Sequence, residues 1–199
     1  ILAVYAERFG ASGLTVGLLF AAFSAAQFVC APLLGRLSDR VGRKPVIVIS
    51  LLGTAAGSFV CGAASTLWLL FVGRILDGAS GASLSVAQAA VGDMASPAER
   101  PRLMGLLGAA FGVGFVIGPA IGGLATLGGP HVPFYVAGTI ALINAVAAMV
   151  RLPETRPELS SEAAGPIKHR SRRAISPALG QLAMVGFVTT VAFTAFEST

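Results

Sequence analysis

The stretch Gly35-Arg36-Leu37-Ser38-Asp39-Arg40-Val41-Gly42-Arg43-Lys44-Pro45 puts four cations and one carboxylate between two long apolar runs. No charge occurs from Phe9 to Gly35, and none from Val46 to Gly73. A transmembrane helix needs about 20 mostly apolar residues, so each flank is long enough to cross a bilayer. A short, charged loop between two such runs belongs at a membrane face.

Working outward, Ile1 to Ala6 reads as the tail of a first span, with Glu7 and Arg8 in its exit loop. The second span is expected over Leu14–Leu34 and the third over Val46–Ala64, ending at a tight Ser65-Thr66 turn. The fourth runs from Leu67 to Gly92 and carries Arg74 and Asp77 inside its apolar region. Asp93 to Arg102 is a polar loop. Leu103 to Val150 then holds no charge over 48 residues, enough for two spans. The glycines and prolines of Gly128-Gly-Pro-His-Val-Pro133 favour a turn between them. The fifth span is therefore placed at Leu103–Leu127 and the sixth at Phe134–Val150. A polar linker over 151–177 is too rich in Pro, Ser, Glu and Arg to fold alone, and a seventh span begins at Ala178.

Composition agrees with this reading. The chain of 199 residues is 55% hydrophobic and only 12% charged, with a mean hydropathy of +0.81. A soluble domain carries about 25% charged residues. The net charge of +5 does not indicate a nucleic-acid partner, because the cations lie in short loops between apolar runs. The expected partner is instead the lipid bilayer. Twelve lysines and arginines fall in the second-to-third, fourth-to-fifth and sixth-to-seventh loops, against one, Arg8, in the others. Cytoplasmic loops carry the excess of positive charge, so those three loops are expected in the cytoplasm. Cys30 and Cys61 would differ in depth by roughly 16 Å, beyond disulfide reach. There is no P-loop, no metal-spaced Cys/His cluster and no nucleophile elbow. Neither an enzyme nor a cofactor is expected, and ATP is not the energy source in this chain.

Gly35-x-Leu37-Ser38-Asp39-Arg40-x-Gly42-Arg43-Lys44 resembles the loop signature of the major facilitator superfamily. Gly42 suits a tight reversal because it lacks Cβ, and Gly35 is expected to let the second span end against a neighbour. The resemblance implies that Asp39 docks on the opposite half of the protein and holds the cytoplasmic side closed. It also implies that Asp93 pairs with Arg43 or Arg40. Arg74-x-x-Asp77-Gly78 resembles a second signature of the family, with Asp77 in place of the usual Gln. A spacing of three puts Arg74 and Asp77 on one helix face, and charges at this depth are costly enough to be paired or to face a cavity. Gly114-x-x-x-Gly118-Pro119-x-x-Gly122-Gly123 resembles the signature of the family's antiporters. Its glycines form a close-packing stripe, and Pro119 is expected to kink the fifth span.

The resemblance implies an all-α membrane protein: an N-terminal six-helix bundle (residues 1–150) with its first helix truncated, the linker, and the start of a second bundle over 178–199. The absence of an initiator Met, and a last apolar run that stops at Thr199, suggest a piece of a longer chain, inactive without the other half. The branch most similar is that of the drug–proton antiporters, near the tetracycline-efflux transporters. The expected function is export of a small, partly apolar compound in exchange for protons. Arg74, Asp77 and Glu197 are the candidates for proton coupling, since a membrane-embedded acid is a functional candidate by default. A facilitator-type importer of sugars or other metabolites, and a non-transporting receptor or scaffold, are the alternatives. Gln27 and Gln88 are polar groups within spans, and His131 lies in an extracytoplasmic turn.

Overall fold

The computed structural model describes residues 1–152, apart from the side chain of Met94. Most of the linker, the seventh span and Glu197 lie outside the described residues. Within them the chain is helical, without strands: α1 Leu2–Glu7, α2 Gly13–Val41, α3 Arg43–Gly62, α4 Leu67–Ser80, α5 Ser83–Met94, α6 Arg100–Ala125 and α7 Val132–Arg151. Five stretches are long and apolar enough to cross a membrane: Gly13–Val41, Arg43–Gly62, Leu67–Asp93, Arg100–Gly128 and Val132–Arg151. They alternate in direction. One end of the bundle therefore gathers Arg36, Arg40, Arg43, Lys44, Arg100, Arg102 and Arg151, while the other holds Arg8.

The charged stretch is not a loop. α2 continues through Gly35 to Val41, and Gly42 alone separates it from α3. Nothing in Arg36-Leu-Ser-Asp-Arg40 breaks a helix, and a 29-residue α2 is about 43 Å long, against about 30 Å of hydrocarbon. The charged turns thus extend α2 past the apolar layer, where water can reach them. Gly35 does not end the helix; a Cβ added there would meet nothing within 4 Å. Gly42 makes the reversal at φ 108°, in the region that favours glycine. Its N–H closes α2 on the Ser38 carbonyl at 3.1 Å. Pro45 is tolerated in the first turn of α3, where its missing N–H has no helical partner to lose.

The expected fourth span is also not one helix. It breaks at Gly81–Ala82 into α4 and α5, and Asp93 falls in the last turn of α5 rather than in a loop. The remaining spans match their expected positions within a few residues. The Ser65-Thr66 turn is capped by Thr66, whose Oγ1 accepts from the Leu69 N–H at 3.4 Å.

α3 runs through the middle of the bundle, with α7 on one side and α4 on another, and α2 packs on α4. Two cores result. At the basic end, Val46, Ile47 and Leu51 of α3 meet Val86, Ala87 and Ala90 of α5 and Ala145 and Ala148 of α7. At the other end, Leu2, Tyr5 and Ala6 of α1 pack with Leu19, Cys61, Leu70 and Phe134. The Tyr5 hydroxyl fastens α1 there by donating to the Ala64 carbonyl at 2.9 Å. α2 and α6 keep broad apolar faces exposed, including Leu14, Phe28, Leu33, Phe115, Val116 and Leu124.

α3 and α4 touch backbone to backbone between the two cores. A Cβ on Gly57 would lie 2.8 Å from the Asp77 Cβ and backbone N, and 2.9 Å from the Gly73 carbonyl oxygen. Gly57→Val must therefore push the two helices apart, at a cost of about 1–3 kcal/mol or more. A lower thermal unfolding midpoint in detergent, with reduced membrane level, is the expected result; an unchanged midpoint would show that the contact yields.

Candidate functional site: two charge clusters

The first cluster sits at the basic end and is built on Arg43. The left-handed turn at Gly42 starts α3 back against the last turn of α2, so Arg43 faces Ser38 and Asp39. Its Nη1 donates to Ser38 Oγ at 2.6 Å and lies 2.6 Å from Asp39 Oδ1. Its Nε and Nη2 both donate to Asp93 Oδ2, at 3.0 and 2.9 Å. Ser38 Oγ in turn donates a hydrogen bond to the Gly35 carbonyl at 2.7 Å. One guanidinium thus ties α2, α3 and α5 together. Of the two arginines considered for Asp93, Arg43 is the partner, while Arg40 is exposed on α2 and Lys44 is half-buried at the start of α3.

Exposure distinguishes the three charges. The Arg43 side chain is 9% exposed and that of Asp39 60%, while Asp93 is 43% exposed. The arginine is held inside, and both carboxylates are open to exchange partners. Solvent screening keeps each exposed pairing weak. Beside it an open cleft of about 250 Å³ separates α2 from α5, lined by Ala31, Pro32, Gly35, Ser85, Val86 and Ala89 with Arg43 at its edge.

The second cluster lies at the junction of α2, α3 and α4. Arg74 is fully buried. Its guanidinium carbon sits 4.1 Å from the Phe23 ring centroid and 5.7 Å from that of Phe20. Its Nη1 is 3.8 Å from Asp77 Oδ2. A desolvated cation over an aromatic face is stabilised by about 2 kcal/mol, so the phenylalanines offset part of the cost of burying the arginine. The sequence points to Arg74 and Asp77 but not to the two aromatic rings. Their spacing of three on an apolar helix looks like ordinary packing, and only the register of α2 against α4 brings them over the charge.

The glycine stripe of the fifth span falls on α6, where Gly114, Gly118 and Gly122 are buried. Pro119 lies within α6, which remains helical through it, and Gly123 is exposed. Gln27 donates from Nε2 to the Gly81 carbonyl at 3.2 Å. Gln88 is exposed on α5, and His131 is exposed with its ring edge-on to Tyr135 at 6.0 Å. Cys30 and Cys61 are both free thiols.

The family model of the Major Facilitator Superfamily matches residues 1–199. The chain is 39% identical over 140 residues to the class B tetracycline resistance protein of Escherichia coli, covering 70% of this chain and 35% of that protein. To the class D tetracycline resistance protein of Salmonella ordonez it is 46% identical over 129 residues, covering 65% of this chain and 32% of the relative. To multidrug resistance protein 1 of Bacillus subtilis it is 37% identical over 150 residues, covering 74% and 39%. The chain thus spans roughly a third of the length of these relatives. With five membrane-length helical stretches among the described residues, the glycine-turned charge cluster and a family match along its whole length, the chain is an integral membrane protein and belongs to the Major Facilitator Superfamily.

Proposed function

We propose that this chain is the N-terminal part of a secondary transporter that exports a small, partly apolar compound, of the tetracycline or multidrug class, in exchange for protons. The observation that carries the reading is its identity of 37–46% to proteins named for resistance to such compounds. The charge clusters support it. A transporter that alternates access needs contacts that form and break on one side of a midplane site, and the clamp of Asp39, Arg43 and Asp93 has exposed carboxylates around a buried cation. Proton coupling needs a group inside the membrane that takes up and gives up a proton. Asp77, against Arg74 beneath Phe20 and Phe23, fills that role, with Glu197 as a second candidate. The stripe of Gly114, Gly118 and Gly122 with Pro119 and Gly123 serves close helix contact as the halves rock.

In this reading the basic end faces the cytoplasm of a bacterial inner membrane, following the distribution of lysine and arginine. The partners are the lipid bilayer, the transported compound and a second helical half. Cellular accumulation tests the direction of transport. Drug-sensitive bacteria producing the intact protein should hold less tetracycline or cationic dye than control cells. Increased accumulation would favour an importer, and an unchanged level across both classes would favour a receptor or scaffold.

A further inference from the structure

Among the described residues, the fourth span is the membrane-length segment interrupted near its middle. Its helix stops at Ser80 and resumes at Ser83, within a run of six small residues, Gly78-Ala-Ser-Gly-Ala-Ser83. No bulky side chain resists a change of backbone angle there. Two tight bonds mark the break: the Gly81 N–H donates to the Gly78 carbonyl at 3.0 Å, and the Ala82 N–H to the Ser80 carbonyl at 2.8 Å. The Gly81 carbonyl accepts from Gln27 of α2 at 3.2 Å. Freed backbone groups at membrane depth must find partners inside the protein, and Gln27 supplies one.

α2 tracks the break closely. A Cβ on Gly81 would lie 2.7 Å from Gln27 Nε2, and one on Gly78 would run into the backbone of Phe23. Phe23 and Gln27 are four residues apart and share a face of α2. One covers Arg74 and the other holds the break.

The break also divides the bundle. α5 contributes Val86, Ala87 and Ala90 to the basic-end core, whereas α4 contributes Leu70 to the opposite one. The seam between these cores on α3 is Gly53-Thr-Ala-Ala-Gly57, again small residues. α4 carries Arg74 and Asp77; α5 carries Asp93, which reaches Arg43.

We propose that Gly81–Ala82 is a hinge on which α5 and the basic-end core turn against α4, and that Gln27 is the positioning residue that holds it in the setting seen here. Hinges are a few element-terminal residues that absorb backbone change, and this one stands between the membrane-embedded charge pair and the clamp. Its meaning for transport, a mechanical link from the state of Asp77 to the clamp at Asp93, rests on the export reading above. The hinge itself does not.

The test is hydrogen–deuterium exchange in the intact protein in lipid nanodiscs, comparing wild type with Gln27→Met, which keeps the side-chain length and removes the donor. Exchange at residues 79–86 should rise roughly tenfold, as expected when a local opening loses one restraining bond, while residues 67–77 keep their wild-type rate. Unchanged exchange at 79–86, or a rise shared equally by 67–77, would overturn the proposal. If Gln27→Met does not accumulate in the membrane, Gln27→Asn, whose amide falls one methylene short of Gly81, is judged by the same two outcomes. No transported compound enters the measurement, so a failure of the export reading leaves the result standing, and a failure of the hinge leaves the export reading untouched.

Discussion

Arg43→Ala is expected to lower drug export by at least tenfold while leaving a substantial share of the protein in the membrane. The arginine makes the bonds that join three helices, and its removal leaves Asp39 and Asp93 facing the same space without a cation between them. Charge-assisted bonds contribute about 1.5–3 kcal/mol each when sheltered. With both carboxylates around half exposed, solvent screening reduces that, and about 2 kcal/mol for the whole clamp is a fair magnitude, or roughly 30-fold in an equilibrium. Arg43→Lys should rescue little. An ammonium keeps the charge, but it lacks the fork that sends Nε and Nη2 to Asp93 and Nη1 to Ser38 and Asp39. Export and surface level measured together check this. Near wild-type export in Arg43→Ala would remove the clamp from the mechanism.

Asp77→Asn is the second substitution with a large expected effect, and it acts on a different step. The amide fills the same space beside Gly57, so the contact between α3 and α4 survives. Arg74 loses a carboxylate at 3.8 Å but retains the Phe23 ring at 4.1 Å. Removing one member of a buried pair costs about 3–5 kcal/mol when nothing else compensates; here the ring faces compensate in part, and a reduced but measurable membrane level is expected. What should vanish is proton-coupled movement, because an amide cannot take up and release a proton across the working pH range. Substrate binding, measured by fluorescence titration at fixed pH, should change less than threefold, a shift of about 0.6 kcal/mol. Loss of binding in step with transport would make Asp77 a structural or substrate-binding residue instead.

Much of this architecture was legible from where charge is missing. A span shows itself by uninterrupted apolar length, and the second and third spans needed little more, while the fifth and sixth needed only the Gly128–Pro133 turn between them. Pairing between Arg74 and Asp77 was readable too, since residues three apart on a helix must share a face. Charge density misled at Gly35–Val41, because charged residues end the apolar layer without ending the helix, and of the two glycines it is Gly42, at φ 108°, and not Gly35 that turns the chain. Gly78 and Gly81 carry no mark separating close packing from a break; that depends on Phe23 and Gln27 arriving from another helix. Likewise, Arg43 rather than Arg40 meets Asp93 because of the direction set by the Gly42 turn, a property of the backbone and not of residue type.

Everted membrane vesicles bearing the intact protein give the most direct test of proton-driven export. With the interior acidified by respiration and followed by quenching of an acridine dye, tetracycline or a multidrug-class cation should enter the vesicles and release protons outward. Dye fluorescence should recover in the wild type and fail to recover with Asp77→Asn at matched protein level. Drug uptake by wild-type vesicles with no movement of protons, or full fluorescence recovery in Asp77→Asn, would contradict the account.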